Sequence, residues 1–416
     1  MDLLITDVTL ASGVRTDLGI RGSHFVDPSA LTRPKKIDAS GLMALPGLVD
    51  LHTHLREPAP DPAETIETGT QAAAAGGYTA VYAMANTNPV TDTAEKVRVL
   101  RKLARKADIE VVPIGAITRG LAGEQVADIE AMNAEGVTVF SDDGFCVMDV
   151  DIMKEALQRI KVCNGVLAQH CQDHGIAGAQ AFAPDNVIVD NPTHIWDRSA
   201  ETTIAERDIQ LALDTGCRVH LCHISTAESV EVIRWGKNQG APITAEVTPH
   251  HLLLGAELVQ SMDTRFKVNP PLRTDEDIEA VRQALAEGVI DIVGTDHAPH
   301  KTSDKDKPMD QAKPGMVGLE WALGVVMETM VLTGRMDWDS VIDRMSLTPA
   351  RIGGISDHQG RNLTPGEPAT FTLIDPTLRG IINKEDAFTQ GLNNPYHGLE
   401  LPTPVISTYC NGQESY

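Results

Sequence analysis

Leu48-Val49-Asp50-Leu51-His52-Thr53-His54 is a mostly apolar run that ends in two histidines one residue apart. Side chains on an extended chain alternate between faces, so His52 and His54 project to the same side at the carboxyl end of a strand. Two neutral imidazoles converging in this way can hold one divalent cation. Taken alone, the same spelling also describes a polar strand end with two solvated histidines. The rest of the chain decides between the two.

Strand-like apolar runs occur at 47–51, 79–84, 109–115, 137–140, 165–169, 218–222, 243–247 and 290–294, with helix-like segments between them from 64–75 through to 318–332. Ser225 and Glu228 spell a capping box at one helix start. Eight such alternations predict an α/β fold, a closed (β/α)8 TIM barrel over residues 47–355. Both ends of the chain are instead rich in short β-type pieces, at 3–10 and 17–20 and again at 369–374 and 404–409. These predict a small β-sandwich side domain formed jointly by residues 1–46 and 356–416. Residues 301–313, KTSDKDKPMDQAK, are polar and without periodicity, and are expected to form a mobile loop that folds over a ligand.

The 416 residues carry 35 basic and 58 acidic side chains, a formal charge of −23. Such a surface repels phosphate backbones and anionic lipid, which argues against nucleic acid and membrane as partners. A small anionic substrate would need a local positive focus. The six cysteines contain no CxxC pair and read as reduced thiols. No apolar run is long enough for a membrane helix, and the first residues lack the basic region of a signal peptide. A soluble, cytoplasmic protein is the expectation.

The remaining strand ends strengthen the metal reading. Strand four ends in Ser141-Asp142-Asp143-Gly144, strand five in His170-Cys171, strand six in His223-Ile224-Ser225 and strand eight in Thr295-Asp296-His297. All lie at the carboxyl rim, where barrel active sites are built. Four histidines and two carboxylates there suit two divalent ions in N/O ligation, with zinc favoured. Asp142 and Asp143 are not separated by spacing. Asp296 is a candidate both for ligand and for the group that moves a proton, against a purely structural ligand role. Arg56, two residues past His54, is suited to gripping a carboxylate, or else to pairing with Glu57 or Asp61. Asn86 and Asn269 offer amide contacts or cap turns. His250 and His251 read as supporting residues, and His24, His174, His194, His358 and His397 as ordinary histidines.

His52-Thr53-His54-Leu55-Arg56-Glu57-Pro58 and Asn86-Thr87-Asn88-Pro89 resemble the opening motifs of dihydroorotases in the amidohydrolase superfamily. His220 to Thr226, Glu246 to His251, Val268 to Arg273 and Gly294 to His300 continue the resemblance in order along nearly the whole chain, and the pattern is similar to the bacterial class I form. The resemblance implies zinc-dependent, reversible closure of N-carbamoyl-L-aspartate to L-dihydroorotate in pyrimidine synthesis. It implies that His52, His54 and Asp296 bind a first zinc and that His170 and His223 bind a second. Asp143 would bridge them, a choice over Asp142 that the family pattern favours. Arg56, Asn86 and His300 would hold the substrate carboxylate, Asn269 and the Pro314-Gly315 backbone would line the ring site, and Asp296 would shuttle the proton. A homodimer, and association with aspartate transcarbamoylase, are further expectations. The chain departs from the family pattern at Ala59, Ala85, Gln172 and Pro314. Two other readings share these residues: a hydantoinase or allantoinase, and a non-catalytic scaffold subunit of aspartate transcarbamoylase.

Overall fold

Residues 2–178, 181–184 and 191–416 are described in the computed structural model. Eight strands run in sequence: Leu48–Thr53, Tyr78–Ala83, Glu110–Pro113, Val139–Phe140, Val166–Gln169, Arg218–Leu221, Ile243–Val247 and Ile292–Val293. The first three pair in parallel, as do the last five. Two single bridges join these groups into a ring, Gly115 with Phe140 and Thr53 with His297. The His54 N–H reinforces the second by donating to the His297 carbonyl at 2.9 Å. The TIM barrel expected from the alternating pattern is therefore the observed architecture.

Alternation explains why such apolar strands are stable. Val49, Leu51, Ala80, Tyr82, Val139 and Ile292 pack inside the ring. Leu48, Val81, Leu167, Val219 and Val293 belong to the layer between strands and helices. Both faces are thus covered, as parallel sheets require. The surrounding helices begin where side-chain oxygens satisfy free N–H groups. Thr65 accepts from Thr68, Thr93 from Lys96 and Thr274 from Asp277. The predicted Ser225–Glu228 box does not form. Buried Glu201 accepts from the Ser225 hydroxyl, and Thr226 caps the helix Ala227–Asn238 instead.

The two chain ends meet. Met43–Pro46 pairs antiparallel with Phe371–Ile374 and parallel with Asp2–Leu10, within one eight-stranded sheet. That sheet curls, because His24 bridges to Pro368 although three strands of the sheet order separate their neighbourhoods. Phe25, Phe371 and Tyr409 fill the space so enclosed. The pairing is a single continuous ladder, where two stacked layers were expected. Residues 301–313 also differ from expectation: Thr302–Lys305 is a short helix, and Lys305, Met309 and Ala312 are buried. The described residues contain no helix long and apolar enough to cross a membrane.

Candidate metal centre and substrate pocket

The carboxyl rim of the barrel surrounds a cavity of about 180 Å³. His54, Arg56, Asn86, Asp143, His170 and His223 line it, together with Asn269, Asp296, His300, Pro314 and Gly315. His52 lies at its floor, wholly buried. Every residue singled out from the sequence as a ligand or substrate contact is therefore gathered at one place. Gly144 and Ala298 complete the lining.

Asp143 occupies the middle of the cluster. Its Oδ1 lies 3.4 Å from His52 Nε2, 3.5 Å from His170 Nδ1 and 3.8 Å from His223 Nε2, and its Oδ2 lies 3.3 Å from His54 Nε2. Asp296 Oδ1 is 3.0 Å from His54 Nε2 and 3.4 Å from His52 Nε2. The Asp142 carboxylate points elsewhere. It accepts from the backbone N–H groups of Ile117 and Thr118 at 2.7 and 3.0 Å, and so fastens the loop after strand three.

Three imidazoles are aimed by partners on their outer edges. His52 Nδ1 lies 2.5 Å from Glu246 Oε1, His54 Nδ1 3.0 Å from Asn86 Oδ1, and His170 Nε2 2.6 Å from Gln172 Oε1. When each outer nitrogen donates its proton, the inner nitrogen keeps a lone pair turned toward the cluster. Among the described residues, His52 Nε2 and Asp143 Oδ1 are buried without a hydrogen-bond partner, facing each other. His170 Nδ1 and His223 Nε2 are only 2.8 Å apart. Unpartnered buried donors and acceptors are costly, and a divalent cation satisfies this set. His52, Asp143 and His223 form one group compact enough to hold an ion; His52, His54 and Asp296 form a second. These residues fit a divalent metal; His170 belongs to neither compact group.

The acids of the cluster favour positive charge at its centre. Burial opposes charge on His52, but Glu246, Asp143 and Asp296 overcome it and raise its pKa well above the ordinary histidine value. Burial likewise opposes ionisation of Asp296, yet His52, His54 and His223 hold its carboxyl well below the usual carboxylate range. Asp143 is lowered in the same way, chiefly by His52 against the effect of burial. Burial lowers the Arg56 guanidinium from its ordinary value, with Asp296 and Asp143 opposing.

Arg56 makes neither of the ion pairs that were its alternative. Its Nε donates to the Pro299 carbonyl at 3.1 Å, while Glu57 accepts from Ile66 and Asp61 pairs with Lys301. Arg56, His223 and Asp296 all have positive φ, at 60°, 37° and 46°. Left-handed backbone is unfavourable for residues bearing a Cβ, and it persists here at three positions that face the cavity. Gly315 has φ of 140°, and a Cβ there would meet His300 Nε2 at 2.7 Å, so only glycine fits. Asn86 Nδ2 donates to the Asp143 carbonyl at 3.2 Å, linking the first and fourth strand ends through one amide. Asn269 Nδ2 donates to Gln172 Oε1 at 2.9 Å, and its buried Oδ1 has no hydrogen-bond partner among the described residues.

Sequence reasoning gave no role to two of the supporting residues, Glu246 and Asn393. Glu246 is a charged side chain in a strand otherwise built of small and branched residues, and that contrast is the signal that could have found it. His220 Nε2 donates to its other oxygen at 3.0 Å. Asn393 had no such signal: its amide donates to the carbonyls of Ala298 and Gly315 and accepts from His300 N–H. His250 and His251 are buried behind the cluster, with burial lowering both and His251 falling to about 4.

Comparison with known proteins gives the following. The family model for dihydro-orotase-like proteins matches residues 41–229. The chain is 49% identical to a dihydroorotase of Streptomyces coelicolor, across 99% of this chain and 94% of that protein. It is 47% identical to a dihydroorotase of Leifsonia xyli, across 98% and 94%. Among solved structures, a dihydropyrimidinase from Brevibacillus agri superposes with a TM-score of 0.88 at 23% identity, covering 100% of this chain and 95% of that one. An L-hydantoinase from Arthrobacter aurescens gives 0.88 at 22% identity, covering 99% and 95%. These two likenesses concern the fold.

Proposed function

Because this chain belongs to the dihydroorotase family, we propose that it interconverts N-carbamoyl-L-aspartate and L-dihydroorotate plus water, with zinc as its cofactor. It is a cyclic amide hydrolase acting on a small molecule. The observation that carries the reading is the convergence of His52, His54, Asp143, His170, His223 and Asp296 around buried, unpartnered inner atoms, beside the cationic Arg56.

His52, His54 and Asp296 would hold one ion, His170 and His223 a second, and Asp143 both. When bound, the metal pair supplies Lewis acidity and makes water more acidic. The protein's own residues do the rest. Arg56, Asn86 and His300 hold the substrate carboxylate, which places the reacting carbonyl over the cluster. Asn269 and the Pro314-Gly315 backbone flank the ring. In the hydrolytic direction water adds to the ring carbonyl, the C–N bond breaks and the released nitrogen gains a proton. Asp296, kept ionised, takes the proton from water and passes it to that nitrogen; ring closure is the same path reversed. Among the described residues, Asp143 and Asp296 are the acids in the cavity lining, so this transfer stays local.

This reading assigns catalysis to the barrel at 47–355 and a side domain to residues 1–46 and 356–416. It includes a cytoplasmic homodimer able to contact aspartate transcarbamoylase, which light scattering with and without that enzyme would test. The decisive experiment is an assay of the purified, metal-analysed protein on dihydroorotate, hydantoin and allantoin. Preference for either of the last two would replace the substrate assignment. Negligible bound metal with no turnover would favour the scaffold role.

A further inference from the structure

Lys305 lies in a segment whose composition suggests full solvation, yet it is only 8% exposed. Its ammonium donates to three backbone carbonyls: Lys267 at 3.2 Å, Lys313 at 2.9 Å and Gly315 at 3.0 Å. A buried ammonium is costly unless its donors are satisfied, and these three acceptors use all of them. Burial, followed by the charge of Lys267, lowers its pKa to about 7.

Each acceptor belongs to a segment at the cavity mouth. Lys267 lies two residues before Asn269. The Gly315 N–H donates back to the Lys267 carbonyl at 2.9 Å, so the two segments are already in register. Pro314 accepts from His300 Nε2 at 2.7 Å, and His300 N–H is held by Asn393. Without the ammonium, the Lys313 carbonyl would lose its donor, and the carbonyls of Lys267 and Gly315 would keep one each, from Gly315 N–H and Asn393 Nδ2, so the segments would be held more loosely. The metal-facing residues hang from strand ends and would not follow.

We propose that Lys305 is a positioning residue for substrate: by drawing the carbonyls of Lys267, Lys313 and Gly315 onto one cation, it fixes the loop that presents Pro314, Gly315 and His300 to the ligand. The assignment rests on the dihydroorotase reading for the identity of that ligand. It differs from a lid, because the loop is fastened before any ligand arrives.

The test compares wild type with Lys305→Met. Loss of the tether displaces binding groups without touching the metal cluster, so KM for dihydroorotate should rise about tenfold while kcat stays within about threefold. Bound metal should be unchanged. Hydrogen exchange without substrate should quicken over residues 301–317 and not elsewhere in the barrel. An unchanged KM with unchanged exchange would overturn the proposal, as would a lower melting temperature with KM intact. Should the Met variant be insoluble, Lys305→Gln carries the test: its amide is one bond too short to reach all three carbonyls, so unchanged exchange over 301–317 would be equally decisive against it. Wild-type protein inactive on dihydroorotate would sink the substrate reading, whereas the exchange measurement would still judge Lys305.

Discussion

Replacing Glu246 by Gln removes one acceptor from a carboxylate that is wholly buried and fully committed. One oxygen lies 2.5 Å from His52 Nδ1 and the other 3.0 Å from His220 Nε2. An amide can accept at only one of them. If its oxygen stays with His220, its NH2 faces His52 Nδ1, which can then only accept. The His52 proton must move to Nε2, the atom turned toward Asp143 and Asp296, and a protonated nitrogen cannot ligate a cation. If its oxygen stays with His52, His220 must exchange its proton to the nitrogen 2.8 Å from the Thr244 hydroxyl, and only the carboxylate's charge is lost. The first arrangement disables a ligand; the second merely weakens it. Loss of an outer partner of this kind typically costs about 10- to 100-fold in metal affinity, or ~1.4 to 2.7 kcal/mol. The measurement is competition for zinc against a chelator of known affinity, at a pH where both proteins are folded. Affinity within twofold of wild type would show that Glu246 does not hold His52 for a metal.

Three further outcomes are expected. Asp296→Asn, assayed with enough zinc to keep the site loaded because an amide is a weaker ligand, should lower turnover by at least ~10²-fold, since an amide cannot accept the proton; near-normal kcat with metal bound would remove Asp296 from that task. Asn also tolerates the left-handed backbone at this position, so melting should change little. Arg56→Met should raise KM for dihydroorotate by about 10- to 100-fold, the ~1.5 to 3 kcal/mol of a charged hydrogen bond, and leave bound metal unchanged; an unaltered KM would assign the carboxylate to other groups. Glu320 supplies a pH test away from the cluster. Burial raises its carboxyl to about 7, although the N–H groups of Phe388 and Thr389 oppose this. The folded state therefore holds this proton more tightly than the unfolded chain. The stability it contributes is complete below the ordinary glutamate pKa and is lost as pH rises through 7. Glu320→Gln should accordingly be more stable than wild type by about 3 kcal/mol at pH 8 and by about 2 kcal/mol at pH 6. Equal shifts in denaturant midpoint at the two pH values would contradict it.

The barrel was legible because both of its covered faces demand apolar residues, and eight such runs stand out between helix-like segments. The inner cluster of the candidate site was legible for a related reason: histidines and acids have no business at the ends of apolar strands unless something there needs them. Distance along the chain hid the rest. Glu246 is 194 residues from the histidine it orients. Asp142 and Asp143 are adjacent, and only the folded loop at 117–118 shows which carboxylate is already engaged. The misplaced helix cap has the same origin, since Glu201 claims Ser225 across 24 residues. In 301–313, charge concealed structure, because Lys305 is polar by type but its surroundings are carbonyls supplied by other segments.

The ring of strands is fastened between its last member and its first at Thr53 and His297, one residue from His54 and from Asp296. Fastener and reaction centre are thus neighbours on the same few peptide units. Reshaping this mouth for a bulkier ring would strain the very stitch that keeps the hoop shut, so new specificity in such a scaffold is easier to win from the overhanging loops than from the strand tips.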